Sequence, residues 1–162
     1  GYANRLLFLD FSDPEAASAV LSTDYAGPVN LYLGQTCDAQ FGDGRHAYYL
    51  RVVAYAYAIQ PQSMDDRLMR WEFVRFPGDS ARWCRHHLQG PITFDILDHR
   101  NALQTINLND WHLPTGWVSI EEVLRFCLHD LGARALVDSD VWHQPLVESQ
   151  SLFQRRNALS QR

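Results

Sequence analysis

His46–Ile59 reads HAYYLRVVAYAYAI, and Leu68–Phe76, nine residues on, reads LMRWEFVRF. Both are rich in aromatic and β-branched side chains, which favour a pleated, half-buried surface. In the first, Tyr49, Arg51, Val53, Tyr55, Tyr57 and Ile59 recur with a period of two. In the second, Leu68, Arg70, Glu72, Val74 and Phe76 alternate with Met69, Trp71, Phe73 and Arg75. A period of two is the signature of a strand. Pro61–Asp66 and Pro77-Gly78-Asp79-Ser80 supply turn chemistry on either side. These two runs predict an antiparallel meander.

Ala81–Gln89 fits a third strand better than a short helix, given its aromatic neighbours and hairpin spacing. Gly90-Pro91 breaks it, and Ile92–Leu97 and Leu103–Leu108 flank a tight Asp98–Asn101 turn as a further hairpin. Upstream, Leu6–Phe11 reads as a strand. Ser12-Asp13-Pro14-Glu15 reads as a helix start that Ala16–Leu21 continues until Tyr25–Pro28 stops it. Val29–Leu33 follows as a short strand, with a Gly- and Asp-rich loop through Gly44. Downstream, Ser119 caps a helix with Glu121 and Glu122 in its first turn, an apolar face of Val123, Leu124, Cys127, Leu128 and Leu131, and Gly132 at its end. A last helix runs from about Gln144 to Ala158. The expected fold is α+β: a curved antiparallel sheet, its central meander at about 46–108, packed by about three helices. All 162 residues form one domain, with 1–45 a lead-in and 117–160 the C-terminal helices.

The length suits one domain with its own core. Hydrophobic residues make up 46% and charged residues 20% of the chain, which excludes a disordered class. All 14 basic residues are arginine, so no mechanism can rest on a lysine nucleophile or a P-loop lysine. The net charge of −5 is uneven. Residues 45–100 sum to +2 and carry four of the seven histidines, between acidic stretches 1–44 and 101–154 of −5 each. An acidic protein with a basic island excludes broad, non-specific nucleic-acid binding but suits a local phosphate. Three cysteines with no CxxC spacing read as reduced thiols in a cytoplasmic protein. No signal segment is legible, and no run approaches the roughly 20 apolar residues of a membrane span. No cofactor is expected.

The richest chemical run is Arg82-Trp-Cys-Arg-His-His-Leu88. As a strand it puts Cys84 and His86 on one face and Arg85 and His87 on the other, so the adjacent histidines cannot share one site. Imidazole titrates near neutrality and guanidinium offers a fork for phosphate. His87 or His86 with His112, in the loop Asp110–Gly116, supplies an acid and a base; Arg70, Arg75 and Arg85 supply phosphate contacts. Those are the parts of a metal-independent, RNase-like phosphodiester hydrolase. In the competing reading these histidines are structural, set among aromatics, while the arginines pair with Glu72 or Asp95. Cys84 with His86, and His112 or His99, is the only zinc-like grouping, and it matches no structural zinc spacing. The Tyr48–Tyr57 strand reads as core before it reads as a base-stacking platform or small-molecule pocket. Phe153–Arg156 reads as a partner-docking helix or a frayed end.

The aromatic strand Tyr48–Tyr57, the strand Arg70–Arg75, the Cys84–His87 run, the His112–Gly116 loop and the helix opening Ser119–Val123 together resemble small bacterial toxin–antitoxin and defence-associated proteins of the TumE-like kind. The resemblance covers about residues 46–131. It implies a toxin-like or RNA-targeting role with a cognate protein partner. Oligomerisation is left open by the sequence. The alternative is a non-catalytic protein–protein interaction module of such a two-component pair. The resemblance assigns no catalytic residue.

Overall fold

A computed structural model describes residues 5–8, 18–41, 48–63, 68–76, 78, 85–91, 93–107 and 112–159. Among these residues, nine strands and two helices follow in the order β1 (Arg5–Phe8), β2 (Ala19–Thr23), β3 (Gly27–Phe41), β4 (Tyr48–Pro61), β5 (Met69–Val74), β6 (His86–Gln89), β7 (Thr93–Leu97), β8 (Leu103–Asn107), β9 (Leu113–Pro114), α1 (Ile120–His129) and α2 (Ser139–Leu159). Seven strands form one sheet in the order β1-β3-β4-β5-β6-β9, with β2 also on β3; β7 and β8 form a separate ribbon. Every pairing is antiparallel.

The β4–β5 pair that the sequence announces is the centre of the sheet. Tyr55, Tyr57 and Ile59 of β4 lie level with Phe73, Trp71 and Met69 of β5. This face is the core. Val29, Leu31 and Leu33 extend it on β3, and Val123, Cys127 and Leu131 close it from α1. Trp71 meets Phe126 edge-on at 5.7 Å, and Tyr55 stacks on Tyr57 at 4.6 Å. Each fully buried side chain of this size contributes about 1.5–3 kcal/mol relative to exposure. The first turn of α1 is fixed by the expected cap: Ser119 Oγ accepts from Glu122 N–H, and Glu122 returns to Ser119 N–H at 2.7 Å.

Five expectations are corrected. Two helices are present among the described residues, not three: the stretch expected to finish a helix at Leu21 is strand β2. Ser12–Pro14 of that helix lie outside the described residues. The local reason is the turn after it, where Thr23 Oγ1 donates to Gly27 O and accepts from Ala26 N–H while Gly27 takes a positive φ of 66°. That geometry folds Val20-Leu21-Ser22-Thr23 back onto β3. Second, β3 does not stop at Leu33 but runs to Phe41. Third, the meander does not continue through residue 108. The neighbour of β6 is β9, and β7–β8 stands apart, although it forms the expected hairpin around Asp98–Asn101. Fourth, the single face assigned to Tyr49 through Ile59 is broken. Thr36 pairs with Ala54 but Cys37 with Val52, so Val53 is an extra residue. This bulge inverts the pleat, turning Val52 inward and Arg51 to the opposite side. The last helix also starts earlier than expected, at Ser139, and carries Pro145 within it.

Gly90 shows how closely the chain is held after β6. A Cβ there would lie 2.6 Å from the backbone oxygen of Leu68, so only glycine fits. Cys37 and Cys127 are buried free thiols; Cys84 lies outside the described residues. No helix among the described residues is long and apolar enough to cross a membrane.

Candidate functional site

The sheet has a second face, away from α1. By alternation it carries Gly34 and Thr36 of β3, Ala54 and Ala56 of β4, Arg70, Glu72 and Val74 of β5, and His87 and Gln89 of β6. The middle of this face is built of small residues, so its floor is low. An open groove of about 350 Å³ runs over it, from His87, His112 and Glu72 on one side to Thr36, Ala54 and Val74 on the other. That volume is within the range of small-ligand sites, about 300–1,000 Å³.

His87 and His112 reach the groove by different routes. His87 is paired across the ladder with Glu72. His112 precedes the two-residue strand β9, whose Pro114 pairs with His87 and whose Leu113 pairs with Leu88. This short strand folds His112 back over the sheet. The two imidazole rings meet edge to face with centroids 4.7 Å apart. His87 is only 3% exposed.

A polar chain fixes both rings. A carboxylate can only accept, so His87 Nε2 donates to Glu72 Oε2, at 3.1 Å. The other oxygen, Glu72 Oε1, lies 3.3 Å from Arg70 Nε. Arg70 Nη2 donates to Gln89 Oε1. Guanidinium can only donate, so the amide oxygen of Gln89 faces Arg70 and its nitrogen faces His112, 3.0 Å from Nε2. His112 Nε2 therefore accepts, which places the proton of the neutral ring on Nδ1. Protonating Nε2 would set two donors against each other. The pKa of His112 is held below the ordinary histidine value by burial first and by the charges of His87 and Arg70 next, with Glu72 opposing. The local hydrogen bonds and the electrostatics agree on a neutral His112.

The candidate residues divide. His87, His112 and Arg70 come together on the groove face. His86 does not: it lies on the α1 side, stacked on Phe73 at 4.3 Å, with Trp117 at 4.6 Å and its Nδ1 3.5 Å from the Tyr55 hydroxyl. Tyr55 Oη accepts from Val118 N–H at 3.0 Å. Burial, then Arg75, Arg85 and His87, lowers the His86 pKa. His86 is thus a neutral member of an aromatic cluster and is not placed for chemistry in the groove. Arg75 is also on that side. Its guanidinium lies 5.6 Å from the Trp117 ring and 5.7 Å from Phe73, and its Nε donates to Val52 O at 3.1 Å. Arg85 is exposed just before β6, and its carbonyl accepts from Val74 N–H at 3.2 Å.

Two members of the network were not assigned to the site from sequence. Glu72 reads there only as an arginine's ion-pair partner, and Gln89 does not stand out. The signal for Gln89 is its spacing of two from His87, which sets both on one face. Among the described residues, no group of three or more His, Cys, Asp or Glu is arranged to hold a metal ion. Comparison with family models, curated proteins and solved structures gives no match.

Proposed function

We propose that this protein cleaves phosphodiesters in RNA or nucleotides, using its own side chains as acid and base. The observation that carries the reading is the contact between two differently anchored imidazoles, His87 on a carboxylate and His112 on an amide donor, at the wall of an open groove. Enzymes doing acid–base chemistry near neutrality pair titratable groups whose environments hold them in different protonation states.

In this reading His87 is the base: its Nε2–H is held on Glu72, which leaves Nδ1 to take a proton. It removes the proton from a ribose 2′-hydroxyl as that oxygen attacks the adjacent phosphorus. The bond from phosphorus to the 5′-oxygen breaks, and His112, whose proton lies on Nδ1, donates it to the leaving oxygen. The products are a 2′,3′-cyclic phosphate and a free 5′-hydroxyl. Because the two rings touch, the proton gained by His87, its charge balanced by Glu72, can pass to His112 and restore the starting state. Arg70 acts through Glu72 and Gln89 and is a positioning residue. The test is turnover of RNA and cyclic nucleotides by purified protein beside His87→Ala and His112→Ala. Turnover unchanged in both variants removes these residues from the mechanism.

A specific observation favours a second reading, a non-catalytic interaction module of a toxin–antitoxin or defence pair. Every residue of β7 is exposed, and Phe94 (51%), Leu97 (65%) and Leu103 (67%) leave apolar surface in water. An isolated two-stranded ribbon is marginally stable alone, so a partner that covers it is expected. Phe94→Asp with Leu97→Asp, tested for co-purification with the product of a neighbouring gene, separates the readings. Loss of the partner with turnover retained assigns the ribbon to docking and the groove to chemistry.

A further inference from the structure

The groove has two polar ends, and the acid–base chemistry uses one. Glu72 and His87 belong to a row that crosses the sheet in register: Gly34 on β3, Ala56 on β4, Glu72 on β5 and His87 on β6. The next row on the same face is Thr36, Ala54 and Val74, and all three line the groove. Gln35 and Tyr55 also border it, but their side chains turn to the α1 side, where Gln35 accepts from Tyr57 Oη at 3.4 Å and Tyr55 accepts from Val118 N–H. Among the described lining residues, Thr36 is thus the polar side chain on the groove face that stands outside the Glu72–His87–His112 network. Its backbone lies between two paired strands, level with Leu6 of β1 and Ala54 of β4, so its amide and carbonyl are turned into the ladder. The hydroxyl is what this end offers a ligand. Past it, the bulge at Val53 bends β4.

We infer that Thr36 reads the base of the nucleotide whose ribose gives its proton to His87, so that the groove takes single-stranded RNA. The inference rests on the reading above and names its substrate class. Three strand spacings separate β3 from β6, on the order of 14 Å, and the His87 ring leans from β6 toward Glu72 on β5. One nucleoside, with a proton-transfer contact at its ribose and a hydrogen bond at its base, fills that span. His87 is set in the sheet and His112 is folded over it, so the nucleoside facing His87 is the one lying on the floor. Its base then extends over Ala56 and Ala54, which present only methyl groups, and brings its pairing edge to Thr36. A hydroxyl both donates and accepts. It therefore suits the ring nitrogen of uracil, a donor, and that of cytosine, an acceptor. A base held by this edge cannot be paired with a second strand, and RNA is read at that edge where it is single-stranded.

The experiment measures binding by calorimetry, in EDTA, of two forms of UpU whose first ribose lacks the 2′-hydroxyl. One carries uracil on that ribose. The other carries difluorobenzene, a ring of the same shape without strong hydrogen-bonding groups. Wild type is expected to prefer the uracil form by about five- to tenfold, the worth of one hydrogen bond. Thr36→Val keeps the shape of the side chain and removes the hydroxyl. It should weaken the uracil form by the same factor and leave the difluorobenzene form unchanged. Thr36→Ser, which restores a hydroxyl, should recover the preference. Annealing a 2′-O-methyl oligonucleotide to its complement should weaken its binding at least tenfold. Equal binding of the two dimers by wild type, a preference that survives Thr36→Val, undiminished binding of the duplex, or no binding of the uracil dimer overturns the inference. Because the dimers lack the attacking hydroxyl, these results are independent of turnover. Loss of the chemistry reading alone would show as ordinary UpU left intact by wild type, with the preference for uracil still in place.

Discussion

His86 and His87 are consecutive in the chain and face opposite sides of the sheet, His86 stacked on Phe73 and His87 hydrogen-bonded to Glu72. One residue of strand is enough to send identical side chains into unlike environments. One is shut among aromatics against α1, and the other is wired to a carboxylate at the edge of a groove. The pair is therefore a built-in comparison between a histidine that packs and one that the proposed chemistry uses.

Glu72 is the hinge of the polar network, with one oxygen toward His87 and the other toward Arg70. Glu72→Gln removes the negative charge while keeping the shape. The variant is expected to fold with a loss of about 1–3 kcal/mol, because glutamine offers one acceptor oxygen in place of two and leaves either Arg70 or His87 facing an NH₂ donor. Its turnover is expected to fall with an altered pH profile, since the charge that balances a protonated His87 is gone. Urea unfolding and a pH–rate profile measure the two effects. A profile identical to wild type would show that Glu72 has only a packing role.

Gly90 follows β6 directly and holds it against the turn before β5. Gly90→Ala sets a Cβ 2.6 Å from the Leu68 carbonyl oxygen, which is backbone and cannot swing aside. The substitution is expected to destabilise the protein by about 1–3 kcal/mol, as overpacking does. It should also shift His87, reducing turnover beyond the loss of folded protein. Denaturant midpoint and specific activity of the folded fraction check this. An unchanged midpoint would mean that the segment can move.

The protein should lose stability on acidification, and His86 should account for part of the loss. Its pKa in the fold lies below the ordinary value near 6.5. The neutral form is thus the one the fold prefers. The stability this confers is fully present above the ordinary value and is lost as pH falls through the lowered folded value. His112, lowered in the same direction, adds to the same window. His86→Phe keeps an aromatic ring on Phe73 without a titrating group. Its denaturant midpoint should drop less between pH 8 and pH 5 than that of wild type. Parallel drops would place the sensitivity elsewhere.

The sheet was legible where pattern and packing agree. Trp71 and Phe73 alternate with Arg70 and Glu72, and the structure buries the first pair and not the second. Legibility fails at Val53, because a bulge leaves no mark in a run that is β-branched and aromatic throughout, and it inverts the expected side of Arg51. It fails again at Val20–Thr23. There a capping pattern upstream argues for helix, while the Thr23–Gly27 turn, a tertiary partner in β3 and the bonds from Asp24 and Tyr25 to the end of α1 decide for strand. Alternation alone separated His86 from His87. It could not bring His112 to His87, since that depends on β9, a pairing of only two residues whose sequence, Leu113-Pro114, carries no strand signal.

The central claim is that His87 and His112 exchange protons with a ribonucleotide phosphodiester. Its most direct measurement is cleavage of an end-labelled oligoribonucleotide in EDTA, with the product ends identified by mass. Wild type and His86→Phe are expected to yield 2′,3′-cyclic phosphate and 5′-hydroxyl ends at comparable rates. His87→Ala and His112→Ala should each be slower by about 10²–10⁴-fold, the usual contribution of a positioned acid or base. Equal cleavage by wild type and both alanine variants, or none by wild type, would contradict the account.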